Sequence, residues 1–243
     1  MSSAHPIEIL RKRLVEDFSD ELPAGVSPVT QYCREPQFFP GASGLLSAAS
    51  WQEVEPAAIE AADEFLPVPP RGVVVVGNYH ATAASYMRLL RNEIRGFSRT
   101  WVGLRQLLSG VAPSEVFLTN AYIGLPDLAK DTMSFPATPE FRQRCQDLLA
   151  TELELFAPRL VVCLGAPAAS MLAKTASGLN AWKPWPTYKA LIENSSQVVA
   201  DCRAGSTTFT AVAVKHPSAA ASHADRRRDR QLISDAAGTT RFV

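Results

Sequence analysis

The sequence predicts an α/β protein, a doubly wound α/β/α sandwich with a central four-stranded, mainly parallel sheet. Two observations carry this. Apolar, β-branched runs bounded by turn residues recur along the chain, the clearest being Gly72-Val73-Val74-Val75-Val76-Gly77 and Leu160-Val161-Val162-Cys163-Leu164-Gly165. A run without polar alternation reads as a strand covered on both faces, as in a parallel sheet. Between these runs lie longer segments with apolar residues at helical spacing, and strands alternating with helices build doubly wound folds.

The elements follow in order. Ile7 to Phe18 reads as a short amphipathic helix, and Leu22 to Ser50, rich in Pro, Gly and Ser, as an irregular lead-in. Pro56 to Leu66 suits a helix with proline in its first turn and Pro67, Pro69 and Pro70 stopping it. The Gly72–Gly77 strand is followed by a helix over Ala84 to Arg95, with Met87, Leu90 and Ile94 on one face. Val116–Thr119 is the second strand, Pro139 to Phe156 a helix, Leu160–Gly165 the third strand and Ala166 to Lys174 a helix. Thr208 to Val214 is the fourth strand and Ala224 to Ala237 the final helix. Residues 1–70 are expected as an irregular, helical lead-in packed on one α/β domain, 71–243. Such sheets bind ligands at the carboxyl ends of their strands. Those ends carry Gly77-Asn78, Asn120, Gly165 and His216.

Bulk properties narrow the function. At 243 residues, 47% of them hydrophobic, the chain can bury one large core. No apolar run approaches the roughly 20 residues that span a bilayer, and Met1 to Asp20 lacks the apolar centre of a secretory signal. We expect a soluble, cytoplasmic monomer with no membrane partner. Lys+Arg and Asp+Glu are both 24, so the total shows no basic surplus of the kind nucleic-acid binders carry. The distribution is uneven, however. Arginines cluster at Arg88, Arg91, Arg95, Arg99 and Arg105, and again at Arg226, Arg227, Arg228 and Arg230. Such clusters make either a positive binding face or ordinary solvated helix surfaces. The four cysteines form no C-x-x-C pair, and zinc-type spacing is absent. Neither phosphate-binding glycine signature, G-x-G-x-x-G or G-x-x-x-x-G-K-[ST], is present.

One short motif stands out. Lys215-His216-Pro217-Ser218 directly follows the fourth strand, where a proline-held histidine can aim into a cleft. Upstream stand Trp101-Val102-Gly103, then Val116-Phe117-Leu118-Thr119-Asn120, then a helix headed by Cys145, then Pro158 to Gly165. This ordered set resembles the uracil-DNA glycosylase superfamily over roughly Gly72 to Arg230, and most closely its iron–sulfur branch. The resemblance implies a monofunctional DNA glycosylase, which hydrolyses the N-glycosidic bond of a flipped pyrimidine and leaves an abasic site. Its partner is DNA.

By that resemblance, Asn120 reads the flipped base, since an amide offers a donor and an acceptor to a pyrimidine edge. Trp101 stacks on the base, a contact worth roughly 1–3 kcal/mol. His216 stabilises negative charge on the departing base. Ser218 touches a phosphate, and Arg226, Arg227 and Arg228 grip the backbone. Alone, each has an ordinary reading: Asn120 closing a turn, Trp101 in the core, His216 capping a strand.

The first motif departs from the family. Gly77-Asn78-Tyr79-His80 has no proline and no carboxylate. Asn78 is the expected positioner of the attacking water, with Tyr79 and His80 beside the base. Ala81-Thr82-Ala83-Ala84-Ser85 are small, leaving room for a bulky base such as glucosylated hydroxymethylcytosine if Tyr79 points away. That alternative implies defence against phages with modified DNA. A further alternative is a catalytically inactive DNA-binding protein of the same fold. The branch's cluster needs four cysteines. Cys145 fits the fourth place and Cys33 is a remnant of the first pair, but Tyr122-Ile123-Gly124 stands where the third belongs. We therefore expect no metal and no cofactor. Ala219-Ala220-Ala221-Ser222 replaces the family's intercalating leucine loop.

Overall fold

The computed structural model describes residues 6–28, 71–79, 82, 99–112, 115–127, 135–183, 187–219 and 221–239. In chain order these form α1 (Pro6–Phe18), β1 (Val26–Ser27), β2 (Val73–Tyr79), α2 (Arg99–Leu107), β3 (Val116–Tyr122), β4 (Leu125–Pro126) and α3 (Pro139–Phe156). They continue through β5 (Leu160–Leu164), α4 (Ala166–Thr175), α5 (Tyr188–Glu193), β6 (Val198–Ala204), β7 (Thr207–Val214) and α6 (His223–Thr239). The expected helices at Pro56 to Leu66 and Ala84 to Arg95 lie outside the described residues, as do Cys33 and His80. Among the described residues no helix is long and apolar enough to cross a membrane.

The main sheet has the order β3-β2-β5-β7-β6. The four strands expected from the sequence pair in parallel, as β3 with β2, β2 with β5 and β5 with β7. The fifth strand corrects the expected count of four: β6 runs antiparallel on the edge beside β7, joined to it by a turn at Gly205-Ser206. Its signal is weak because four of its seven residues are exposed. Val198, Ala200, Asp201 and Arg203 face outward, and Asp201 adopts φ +56 where the pairing shifts between Val199 and Cys202. Two strands also end later than the sequence suggests. β2 runs through Asn78 to Tyr79, and β3 carries Asn120 within it.

The valines of β2 explain why the sheet is covered twice. Val74 and Val76 join Leu10, Leu14 and Phe18 of α1, Leu148, Leu149 and Leu153 of α3, and Leu172 of α4 in one core. Val73 and Val75 join Leu104 and Leu107 of α2 and Ile233 of α6 in a second core. Fully burying such a side chain contributes about 1.5–3 kcal/mol. The three layers follow from this division. α3 begins where Thr138 Oγ1 accepts the Phe141 N–H at 3.2 Å and Pro139 fills the first turn. It ends at Ala157, in the left-handed region at φ +41.

α3 also carries one polar exception, Glu152, which is fully buried. One of its oxygens accepts the Thr119 hydroxyl at 2.9 Å, and Oε2 has no hydrogen-bond partner. Burial pushes its carboxyl up to about 8, although the Thr119 bond opposes the shift. The folded state therefore keeps the proton that the unfolded chain loses near 4.5. Stability from this group is greatest at acid pH and declines as pH rises toward 8. The Glu152→Gln variant should exceed the parent by on the order of a few kcal/mol at pH 8, with the gap closing toward pH 5. Thermal melts at the two pH values measure it.

Candidate active site

Because β2, β3, β5 and β7 are parallel, their carboxyl ends share one edge of the sheet. Gly77 lies opposite Asn120 in the β2–β3 register, and Leu164 lies opposite Val214 in the β5–β7 register. Asn78, Asn120, Gly165 and His216 are thereby gathered at one end of the fold.

Asn120 is 3% exposed, and its Nδ2 has no hydrogen-bond partner. A buried amide donor without a partner costs about 1–3 kcal/mol, and such a group is available to a ligand. Asn78, half-buried at the end of β2, has an equally unpartnered Oδ1. Room for the Asn120 amide depends on Gly77. A Cβ on Gly77 would collide with Asn120 Oδ1.

His216 is the most constrained of the group. Its Nδ1 accepts the backbone N–H of Ser218 at 3.2 Å and lies 2.7 Å from Ser218 Oγ. An Nδ1 that accepts an N–H carries no proton, so the neutral ring must carry its proton on Nε2. Burial lowers the imidazole below its ordinary value, which keeps the ring neutral at pH 7. Gly165, held at φ +83, lies beside the His216 Cβ, and its N–H donates to Val214 O at 2.8 Å.

The loop is also fixed from the other side. Gly103 of α2 packs on Pro217, and a Cβ there would approach Pro217 Cβ at 2.9 Å and its carbonyl oxygen at 3.2 Å. Trp101 lies two residues before Gly103 on α2, and its side chain lies outside the described residues. Tyr79 is half-buried and packs on Phe135, with ring centroids 5.9 Å apart. Phe135 in turn stacks on Tyr122 at 4.9 Å and on Phe141 at 5.6 Å.

The arginine run divides. Arg226 and Arg227 are exposed near the start of α6. Arg228 instead turns inward, donating to Tyr188 Oη at 3.1 Å and to Asp225 Oδ1 at 2.9 Å. Asp229, 2% exposed, accepts the Lys215 N–H at 3.1 Å, directly before His216. Sequence reasoning missed Asp229 and Tyr188, and it named Gly77 and Gly103 only within motifs, without the close approaches they permit. The one signal for Asp229 was an acid inside an arginine-rich segment.

A four-cysteine cluster does not fit these residues. Cys163 sits in β5 and Cys202 in β6, which leaves Cys145 and Cys33 as the remaining cysteines. Burial pushes the Cys145 thiol up to about 12. Among the described residues no three His, Cys, Asp or Glu side chains group as metal ligands.

A family model described as "Uracil DNA glycosylase superfamily" matches residues 78–236. No curated protein matches the chain.

The Gly103–Pro217 approach is testable by contrast with Gly238, a helical glycine of α6 with open space around it. Gly238→Ala should gain up to about 0.5–1 kcal/mol from helix propensity. Gly103→Ala should lose stability, because its methyl displaces the Pro217 loop. Urea denaturation of both variants measures the opposite signs.

Proposed function

The chain belongs to the uracil DNA glycosylase superfamily, and on that premise we propose that it is a monofunctional DNA glycosylase, hydrolysing the N-glycosidic bond of a flipped pyrimidine. Membership supports the glycosylase class and DNA as partner. The observation that carries the chemistry is His216, a neutral imidazole whose Nδ1 is occupied by Ser218. Cleavage leaves negative charge on the departing base and positive character on the sugar. A donor aimed where that anion forms lowers the barrier without transferring a proton. Nε2–H is that donor.

The remaining roles follow. Asn120 hydrogen-bonds the base edge, and Trp101 supplies a stacking face. Asn78 Oδ1 accepts a hydrogen from the attacking water. An amide is too weak a base to deprotonate it, so leaving-group stabilisation dominates. Tyr79 and His80 border the base. Ser218, Arg226 and Arg227 contact phosphates, while Arg228 acts inside the protein. No lysine is placed as a Schiff-base nucleophile, so the product is an intact abasic strand. The protein acts as a cytoplasmic monomer.

A specific observation favours a bulky substrate. The Tyr79 ring is packed against Phe135, in the core formed with α1, α3 and α4. Gly77 lies opposite Asn120 in the β2–β3 register, and a Cβ on Gly77 would meet Asn120 Oδ1, so these two share a face. We read Tyr79, held on Phe135, as leaving the C5 side of the base unblocked, in keeping with the small residues at 81–85 of the sequence. The Asn120 amide, unpartnered at Nδ2, can present donor and acceptor in either order, which suits cytosine as well as uracil. Glucosylated hydroxymethylcytosine of phage DNA is the base class this reading favours, and antiphage defence is the corresponding role.

Base release should be assayed on uracil-containing, hydroxymethylated, glucosylated and unmodified DNA. We expect release from the modified DNA, and a loss of at least about a hundredfold in His216→Ala. Uracil release with modified DNA untouched would sink the bulky-base reading. Binding without abasic sites on any DNA, unaffected by Asn78→Ala or His216→Ala, would leave a binding protein instead. The pH dependence has a defined sign. Protonating Nδ1 would set it donor-to-donor against the Ser218 N–H. The lowered His216 value puts that event below the ordinary histidine range, so the single-turnover rate should be flat through neutral pH and fall on the acid side.

A further inference from the structure

A closed polar network stands behind the His216 loop, and its centre is a carboxylate that the proposed chemistry does not use. Asp229 of α6 receives Tyr188 Oη–H on Oδ1, with Gln197 Nε2 at 3.4 Å from the same oxygen. Its Oδ2 receives the Lys215 backbone N–H at 3.1 Å. Gln197 also donates to Ala213 O at 3.0 Å, and its own carbonyl accepts the Ala213 N–H at 2.8 Å.

The far side of the network is closed by charge. Arg228 donates to Tyr188 Oη and to Asp225, and Lys215 Nζ lies 3.9 Å from Asp225 Oδ2. The cations of Lys215 and Arg228 lie 5.9 and 5.8 Å from the centroid of the Tyr188 ring. Two acids, Asp225 and Asp229, are thus matched by two bases, and the phenol bridges Arg228 to Asp229.

The location gives this network its meaning. β7 ends at Val214, where Gly165 N–H still engages the Val214 carbonyl. Beyond that point the next backbone donor, Lys215 N–H, meets a carboxylate held on a helix. Lys215 immediately precedes His216, so fixing its amide fixes where the His216 Cα leaves the sheet. Ser218 then orients the ring from two residues downstream.

We propose that Asp229, braced by Tyr188 and Gln197, is the positioning residue that sets the location of the His216 imidazole by holding the Lys215 N–H. The proposal rests on the reading of His216 as leaving-group stabiliser. Its geometric part stands independently of that reading.

The experiment therefore uses two readouts on the full chain. In the free protein, 15N NMR of the His216 ring reports whether Nδ1 remains an acceptor and Nε2 a donor. On the base-releasing DNA, single-turnover rate is compared with DNA affinity. Asp229→Ala should move or exchange-broaden the His216 ring signals. It should lower the rate tenfold or more while changing DNA affinity less than threefold. Asp229→Asn, which keeps an acceptor oxygen, should recover most of the rate, and Tyr188→Phe should fall between. If Asp229→Ala does not fold, the Asn and Phe variants carry the same test through their ring signals.

Unchanged His216 signals and rate in folded Asp229→Ala or Tyr188→Phe protein would overturn the proposal. So would equal losses in affinity and rate with unmoved ring signals, which mark a merely structural role. Perturbed ring signals in a protein that releases no base from any DNA would sustain the positioning role and sink the glycosylase reading.

Discussion

The register of four parallel strands is the constraint on which the rest of this molecule depends. A strand buried on both faces cannot slip by one residue without exchanging its two sets of side chains. In β3 such a slip would turn Asn120 from the Gly77 side toward the α3 layer, and would bring Thr119 out of reach of Glu152. Contacts that only one register allows prevent it, such as the Thr119–Glu152 bond and the approach of Asn120 to Gly77. The gathering of Asn78, Asn120, Gly165 and His216 at one edge is thus a by-product of core packing. No loop has to search for that arrangement.

Around this edge, polar groups are treated in two ways. Behind His216 they are linked to one another, with Asp229 tied to Tyr188, Gln197 and the Lys215 N–H, and Arg228 tied to Tyr188 and Asp225. In front, the amides of Asn78 and Asn120 are left open. Networks of the first kind rigidify, because each bond in a low-dielectric interior strengthens its neighbours. Groups of the second kind weaken the free protein and recover that cost only when something fills the space. The boundary between them runs through the His216 loop, which is built rigid on one side and faces the open amides on the other.

Much of this was legible in the sequence where one residue's surroundings follow from its near neighbours. The valine run, the spacing of Leu148, Leu149 and Leu153, and the polar residues closing strands could be read because burial on two faces leaves a local imprint. β6 escaped because four of its seven residues are exposed and its alternation is broken where the pairing shifts between Val199 and Cys202. α2 escaped as a helix because Gly103, a poor helix former, is there to admit Pro217, more than a hundred residues away in the chain. Arg228 looked like its neighbours Arg226 and Arg227. Only the approach of Tyr188, from a different element, turns it inward. Asp229 shows the same limit, since its partner amide belongs to Lys215 and nothing in the local pattern of α6 points there. His216 was legible by motif, whereas the bond that fixes its tautomer needed coordinates.

The buried acid under Thr119 has a consequence for how this protein exchanges protons with its surroundings. Glu152 gains its proton on folding and gives it up on unfolding across the mildly acidic to neutral range. Folding is therefore a proton-uptake reaction, and the buffer takes part in it. Calorimetric unfolding heats will differ between phosphate and an amine buffer by the difference in ionisation heat of the two buffers, scaled by the fraction of a proton released. A carboxyl group chosen for its fit against one threonine thus writes itself into the enthalpy of the whole fold.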